Sequence, residues 1–391
     1  MEFETRETLH IAMIPTVGMG HLIPMAELSK KLVLSGHISI TFFIPNDGSS
    51  LEAQKQVLED LPKSKIKAIF LPPVNLDDLP QGIQVTKRIM PMVTRSLPFL
   101  RESFRIFNQS KHIGIAAMVV DLFGTEAFAL AKEFGAVPII FFPSPALGLS
   151  LGLHLPELDQ TYSCEYRYLP EPVQLPGCVP LGGIDLVEPV QDRGDEHYAQ
   201  ILHLVKRYRS AAGIMVNSFF ELEPGPIKAL NEDRWGFPPV YPVGPLIQAC
   251  STCTEDKTGC LKWLEHQPRG SVLYISFGSG GTLSEEQTTE LSHGLEMSGQ
   301  RFIWVVKSPN REASGTYFRV KSAEDPLEFL PQAFLERTKG SLMVGEEGDE
   351  IRKRMRVLKE AAAMALKEGG SSTNSLAEVV QLISKKKQKP I

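Results

Sequence analysis

The sequence predicts an α/β chain of two domains, each built on a mostly parallel sheet, the second of them incomplete. Its 391 residues exceed what one hydrophobic core ordinarily holds, which argues for two domains. Short apolar runs alternate with amphipathic stretches, the signature of strands covered by helices on both faces. A glycine-rich turn follows the first apolar run of each half, where α/β folds place their ligands.

The elements follow in order. "LHIAMIP" reads as a strand, "HLIPMAELSKKLVLSG" as a helix and "ISITFFIP" as the next strand, together a βαβ unit. The alternation continues through "KAIFLPP", a long helix around "PMVTRSLPFLRESFRIF", the strand "AAMVVDLFG", the helix "TEAFALAKEFG" and the strand "VPIIFFP". The strand "AGIMVNS" closes the first domain, and "PPVYPVGPL" with the polar run "IQACSTCTEDKTG" reads as the passage to the second. The expected boundaries are 1–245 for the first domain, 246–270 for the linker and 271–391 for the second. Residues 271–306 begin another βαβ pattern, which then stops: 308–327 are polar and loop-like, "PLEFLPQAFLERTKG" is a short helical piece, and "GDEIRKRMRVLKEAAAMALKEGG" is a charged helix. Two strands are too few for an independently stable sheet, so the final helices are expected to lack the cover they need.

Composition narrows the function. Apolar residues are 42% and charged residues 22%, ordinary for a globular protein, and a net charge of -5 offers no general attraction to nucleic acid or anionic membrane. The polar, acidic start "MEFETRETLH" lacks the basic and apolar regions of a signal peptide, so a cytoplasmic protein is expected. The most membrane-like stretch, "VPIIFFPSPALGLSLGLHLP", is broken by Pro138, Pro143, Pro145 and Pro156 and reads as a buried strand followed by a loop, with no membrane insertion. Cys250, Cys253 and Cys260 lie near His266, but that spacing is a weak zinc signal; incidental cysteines in a polar linker are the expected reading, with no metal and no cofactor.

Two glycine turns could carry chemistry. Gly18 and Gly20 fit the start of a dinucleotide fingerprint and Asp47 could mimic its ribose-binding acid, but the third glycine position is Ile23, which disfavours a nicotinamide enzyme. His21 stands where the following helix begins, either as a polar residue at a helix start or as a general base. Asp121 ends an apolar strand at the same sheet edge, where it could orient His21 or merely cap the helix near Thr125. A carboxylate beside an imidazole favours one tautomer and stabilises the imidazolium, which suits general-base work. In the second turn, "SFGSGGTLS", Gly278, Gly280 and Gly281 allow close backbone approach while Ser279 and the helix N-terminus offer donors to a diphosphate.

These residues together resemble the plant UDP-dependent glycosyltransferases that decorate small phenolic metabolites, especially the hydroquinone (arbutin-forming) and monolignol glucosyltransferase group. The resemblance rests on "PTVGMGHLIPMAEL", "MVVDLFGTEAF", "LPGCVPL", "NSFFELEPGPIKAL", "PPVYPVGPL", "CLKWLEHQPRGSVLYISFGSGGTLS" and "DPLEFLPQAFLERTKG", and it resumes in "GEEGDEIRKRMRVLKEAA". It implies the GT-B fold, two Rossmann-like domains with the acceptor in the first and UDP-sugar mainly in the second. It implies that His21 deprotonates the acceptor hydroxyl, that Asp121 orients it, that Ser279 and Thr16 contact the donor, and that Phe123 lines the acceptor pocket. It further implies a monomer acting on a small phenolic acceptor, with UDP-sugar as co-substrate and no metal.

One block of the family pattern is absent. The signature box that begins W-x-P-Q, runs through H-C-G-W-N-S and ends near an acidic residue followed by glutamine has no counterpart, since no histidine follows His293 and no tryptophan follows Trp304. The match breaks between "FLERTKG" and "SLMVGEEG". In the family that block stacks on uracil and holds the diphosphate and sugar hydroxyls. Impaired transfer is therefore expected. The alternative is an inactive shortened isoform or mis-joined gene product that binds only acceptor or a partner.

Overall fold

The computed structural model describes residues 8–34, 37–48, 51–80, 85–111, 114–247, 259–277, 283–307, 326–337 and 348–387. The chain divides into two compact units: Met1–Asp78, Thr86–Gln248 and Val357–Ile391 form the first, and Leu79–Val85 with Ala249–Arg356 the second.

The first unit contains β1 (Leu9–Ile14), α1 (Met19–Leu34), β2 (Ile38–Ile44), α2 (Glu52–Glu59), β3 (Ile66–Phe70), α3 (Val85–Lys111), β4 (Ile115–Asp121), α4 (Phe128–Glu133), β5 (Val137–Phe142), α5 (Ala146–Thr161), α6 (Glu196–Tyr208), β6 (Gly213–Val216), α7 (Pro224–Leu230) and β7 (Val240–Pro242). Its seven strands run in the order β3-β2-β1-β4-β5-β6-β7, all parallel. The order reverses between β1 and β4, so their carboxyl ends flank the switch point where an open α/β sheet forms its crevice.

The apolar runs of these strands are explained by helices on both faces. Ala12, Ile14, Met118, Val120, Ile140 and Phe142 point into one core. Their neighbours Ile11, Met13, Ala117, Val119, Ile139 and Phe141 point into the other. The two-residue period of a strand thus serves two cores at once.

Three sequence expectations need correction. The segment after "VPIIFFP", expected as a loop, is the helix α5, which tolerates Pro156 inside it. Pro145 at its N-cap has no capping side chain, and Glu223 supplies the cap from a distance by accepting from the N–H groups of Ala146 (2.8 Å) and Leu147 (3.0 Å). "PPVYPVGPL" is more than a passage between domains, because β7 within it pairs with β6 and extends the first sheet.

The third correction concerns the end of the chain. α12 (Ser371–Lys387) follows α11 (Gly348–Ala365) and was grouped by sequence with the second domain, without a sheet to cover. It packs on the first sheet instead. Leu376, Val379, Val380 and Ile383 recur at helical spacing and join the core on one face, with Val379 and Ile383 fully buried. Ser372 donates its hydroxyl to the carbonyl of Gly244 at 2.5 Å, just beyond β7.

The second unit contains α8 (Cys260–Glu265), β8 (Val272–Ile275), α9 (Glu285–Ser298), β9 (Arg301–Trp304) and α10 (Gln332–Arg337). α9 is well specified: Ser284 and Gln287 form a reciprocal capping box, and Gly299 ends the helix at φ 59°. β8 and β9 pair in parallel as a two-stranded sheet, over a small core of Leu295, Leu330 and Phe334.

Candidate active site

The site is assembled at the switch point by two turns. The first follows β1, where Gly18 takes φ 124°, a conformation that favours glycine. The amides of His21 and Leu22 both donate to the carbonyl of Gly18 at 3.1 Å, so the turn becomes the first coil of α1 and carries His21 on it. The second turn follows Asp121, the last residue of β4. The amide of Gly124 donates to the Asp121 carbonyl at 2.8 Å, and a Cβ at Gly124 would lie 2.8 Å from that of Val120, so only glycine fits.

From these turns the side chains converge. His21 Nδ1 lies 2.8 Å from Asp121 Oδ2, across a hundred residues of sequence. Thr16 donates its hydroxyl to Asp121 Oδ1 at 2.6 Å, and the amide of Phe123 donates to the same oxygen at 3.2 Å. Asp121 is fully buried while the His21 side chain is 22% exposed, so the pair has one sealed end and one open end. The alternative role for Asp121 is not realised: the helical turn Thr125–Ala127 starts at Gly124 without a side-chain cap.

This geometry fixes the chemistry available. An ionised carboxylate only accepts, so the nitrogen facing it, Nδ1, carries the hydrogen and Nε2 keeps its lone pair. Burial pushes the His21 pKa down, but the charge of Asp121 and its hydrogen bond together outweigh burial and raise it above the usual value. The arrangement is a base whose protonated form is stabilised from behind. The Phe123 ring lies beside the imidazole, with centroids 5.8 Å apart and planes tilted by 55°.

The structure thus brings together four of the five residues singled out by sequence: His21, Asp121, Thr16 and Phe123. Thr16 gives its hydroxyl proton to Asp121 and is 3% exposed. Ser279 lies outside the described residues, as do Cys250 and Cys253. Among the described residues no cluster of three or more histidine, cysteine or acidic side chains could hold a metal ion, and no helix is long and apolar enough to cross a membrane.

Sequence reasoning missed the grip of α6 on the second turn. Tyr208 donates its hydroxyl to the carbonyl of Leu122 and Arg207 donates to that of Thr125, both at 3.0 Å. Burial and the nearby charge of Asp121 push the Tyr208 pKa far up, which keeps its proton in that bond. The only available signal was the amphipathic stretch around Tyr208, and it does not say which turn the helix clamps.

Comparison with known proteins sets this geometry in a family, although no family model matches the chain. It is 54% identical over 338 residues to the hydroquinone glucosyltransferase of Rauvolfia serpentina, covering 86% of this chain and 71% of that protein. It is 52% identical over 338 residues to UDP-glycosyltransferase 72B1 of Arabidopsis thaliana, covering 86% and 70%. Among solved structures, a Polygonum tinctorium UDP-glucosyltransferase capable of glucosylating indoxyl superposes with a TM-score of 0.87 at 38% identity, over 97% of this chain and 100% of that one. The UGT2 of Phytolacca americana, complexed with UDP-2fluoro-glucose and pterostilbene, gives 0.85 at 36% identity over 96% and 100%. The chain belongs to the plant UDP-glycosyltransferases, enzymes of the GT-B α/β fold.

Proposed function

We propose that this chain carries the acceptor half of a UDP-glucosyltransferase for small phenolic hydroxyls, with His21 as its base, and that the absent donor block impairs its turnover. The observation that carries the reading is the 2.8 Å contact of His21 Nδ1 with Asp121, which leaves Nε2 as the acceptor nitrogen of a side chain that is 22% exposed. Nε2 takes the proton of the acceptor hydroxyl as its oxygen attacks the anomeric carbon of UDP-glucose. The bond to UDP breaks on the opposite face, giving an inverted glucoside and UDP, and Asp121 stabilises the imidazolium that forms. Phe123 lines the acceptor's approach. The phenolic class is supported by the relative named for hydroquinone. Work on small molecules by a cytoplasmic monomer agrees with the ordinary composition and mild negative charge.

A base alone contributes roughly 10² to 10⁴ in rate. Positioning the donor and stabilising the departing diphosphate supply much of the remainder, and Ser279 with its neighbouring amides is too small a set to do both. The test is calorimetry with hydroquinone and with UDP-glucose, followed by a transfer assay. Hydroquinone should bind, and glucosyl transfer should be undetectable until a family donor block is inserted after Gly340. Transfer by the unmodified chain at an ordinary enzymatic rate would remove the claim of impairment. Undiminished transfer by the restored chain after His21→Ala would remove the assigned base. If the unmodified chain does not bind UDP-glucose at all, the alternative of an acceptor-only isoform is favoured.

A further inference from the structure

The Asp121 carboxylate has three hydrogen-bond partners among the described residues, and they are unequal. Oδ2 meets His21 Nδ1 at 2.8 Å, while Oδ1 receives the Thr16 hydroxyl at 2.6 Å and the Phe123 amide at 3.2 Å. The Phe123 amide belongs to the same turn as the carboxylate and holds it loosely. Thr16 comes from another strand end: it stands two residues beyond β1, whose last residue Ile14 is in register with Val120, the neighbour of Asp121. Thr16 thus lies close to the paired ends of β1 and β4, whereas His21 follows the glycine turn further along. With 3% of its surface exposed and its hydrogen already given, Thr16 has no side-chain proton left to donate to a phosphate.

We propose that Thr16 is a positioning residue for the base. By occupying one oxygen of Asp121 it holds the carboxylate plane so that the other oxygen meets His21 Nδ1, which fixes the Nδ1–H tautomer and presents Nε2 to the acceptor. This rests on His21 as base, and it replaces the donor contact that the resemblance implied for Thr16. Near this turn Tyr208 bonds the Leu122 carbonyl and Arg207 the Thr125 carbonyl and the Glu126 carboxylate, while the buried Thr125 hydroxyl has no hydrogen-bond partner among the described residues.

The test uses the full chain labelled with ¹⁵N, comparing wild type with Thr16→Val, which keeps the shape, and Thr16→Ser, which keeps the hydroxyl. Imidazole nitrogen shifts report the tautomer of His21, and a pH titration reports its midpoint. In Thr16→Val the Nδ1–H tautomer should lose its predominance and the midpoint should fall by about one unit, because burial is no longer outweighed by an aligned carboxylate. Thr16→Ser should match wild type in both. A midpoint that rises in Thr16→Val would mean that Thr16 only damps the charge of Asp121, and would overturn the proposal. An unchanged midpoint, or Thr16→Ser behaving like Thr16→Val, would overturn it too. Should the valine variant not fold, Thr16→Ala is read in the same way.

In the chain restored with a donor block, at a pH above both midpoints where His21 is neutral in either form, Thr16→Val should lower kcat by up to about tenfold with the KM for UDP-glucose little changed, because the base is weaker and its tautomer less well set. A raised KM for UDP-glucose at constant kcat would instead assign Thr16 to the donor. The nuclear readouts need no turnover, so failure of His21 as base would appear separately, as transfer that survives His21→Ala.

Discussion

At the scale of single residues, His21 serves two ends that depend on pH in opposite directions. Its folded pKa is raised above the ordinary 6.5, because the charge and hydrogen bond of Asp121 outweigh burial. The stability gained from its protonation is therefore fully present below that ordinary value and is lost as pH rises through the folded one. As the proposed base it must be neutral, so transfer by a donor-restored chain should rise through the same folded midpoint. An NMR titration should place that midpoint above 6.5, and Asp121→Asn should bring it below, since burial then acts with only a neutral partner. A midpoint that Asp121→Asn leaves in place would show that the carboxylate does not govern the imidazole. The melting temperature of wild type relative to His21→Gln should likewise be more favourable at pH ~6 than at pH ~9. His21 and Asp121 were legible in sequence because Asp121 ends one apolar run and His21 follows another across a glycine turn, at the same sheet edge. The bond of Thr16 was not, because a threonine hydroxyl has many possible acceptors and only strand order selects Asp121.

At the scale of elements, sequence periodicity identified the strands that build the switch point and faltered where a helix or strand depends on distant support. α5 was unreadable because its prolines mimic a loop and its N-terminal cap, Glu223, lies some seventy-five residues on. That cap is a testable dependence. Glu223 accepts from the amides of Ala146 and Leu147 and from the hydroxyl of Ser218, so one carboxylate joins the start of α5 to the strand end after β6. Glu223→Ala should cost about 1–2 kcal/mol, within the range of lost helix caps, seen as a lower urea midpoint at unchanged slope. Glu223→Gln, which keeps one acceptor oxygen, should cost less. Equal losses in the two variants would show that packing, rather than the cap, is what Glu223 contributes. The three-residue strand β7 was missed for a related reason: Asn231 helps to build it, its side chain donating to the Val240 carbonyl and accepting from the Val240 amide.

At the scale of the whole molecule, the two compact units differ in how much apolar surface they bury, and that difference should govern where the chain opens. β1 and β4 are buried along their whole length, between two large cores. Among the described residues β8 and β9 form a two-stranded sheet; Leu273 is 49% exposed, Tyr274 66% and, just beyond β8, Phe277 54%. A sheet of two strands over so small a core is marginal in water, so its hydrogen bonds should open locally at a small fraction of the global free energy. Native-state hydrogen exchange should therefore be fast in β8 and β9 and slow in β1, β4 and β5. α12 is the decisive case. Placed by sequence in the weak half, it buries Val379 and Ile383 against the first sheet and bonds through Ser372 to Gly244, so its amides should be protected like those of the strands it covers. Ile383→Ala should cost about 2–5 kcal/mol, as large-to-small core changes do, and should speed exchange in α12 and β6 while leaving β8 and β9 as they were. Exchange in α12 as fast as in β8, or β8 as protected as β4, would mean that the boundary between stable and unstable parts of the chain runs elsewhere.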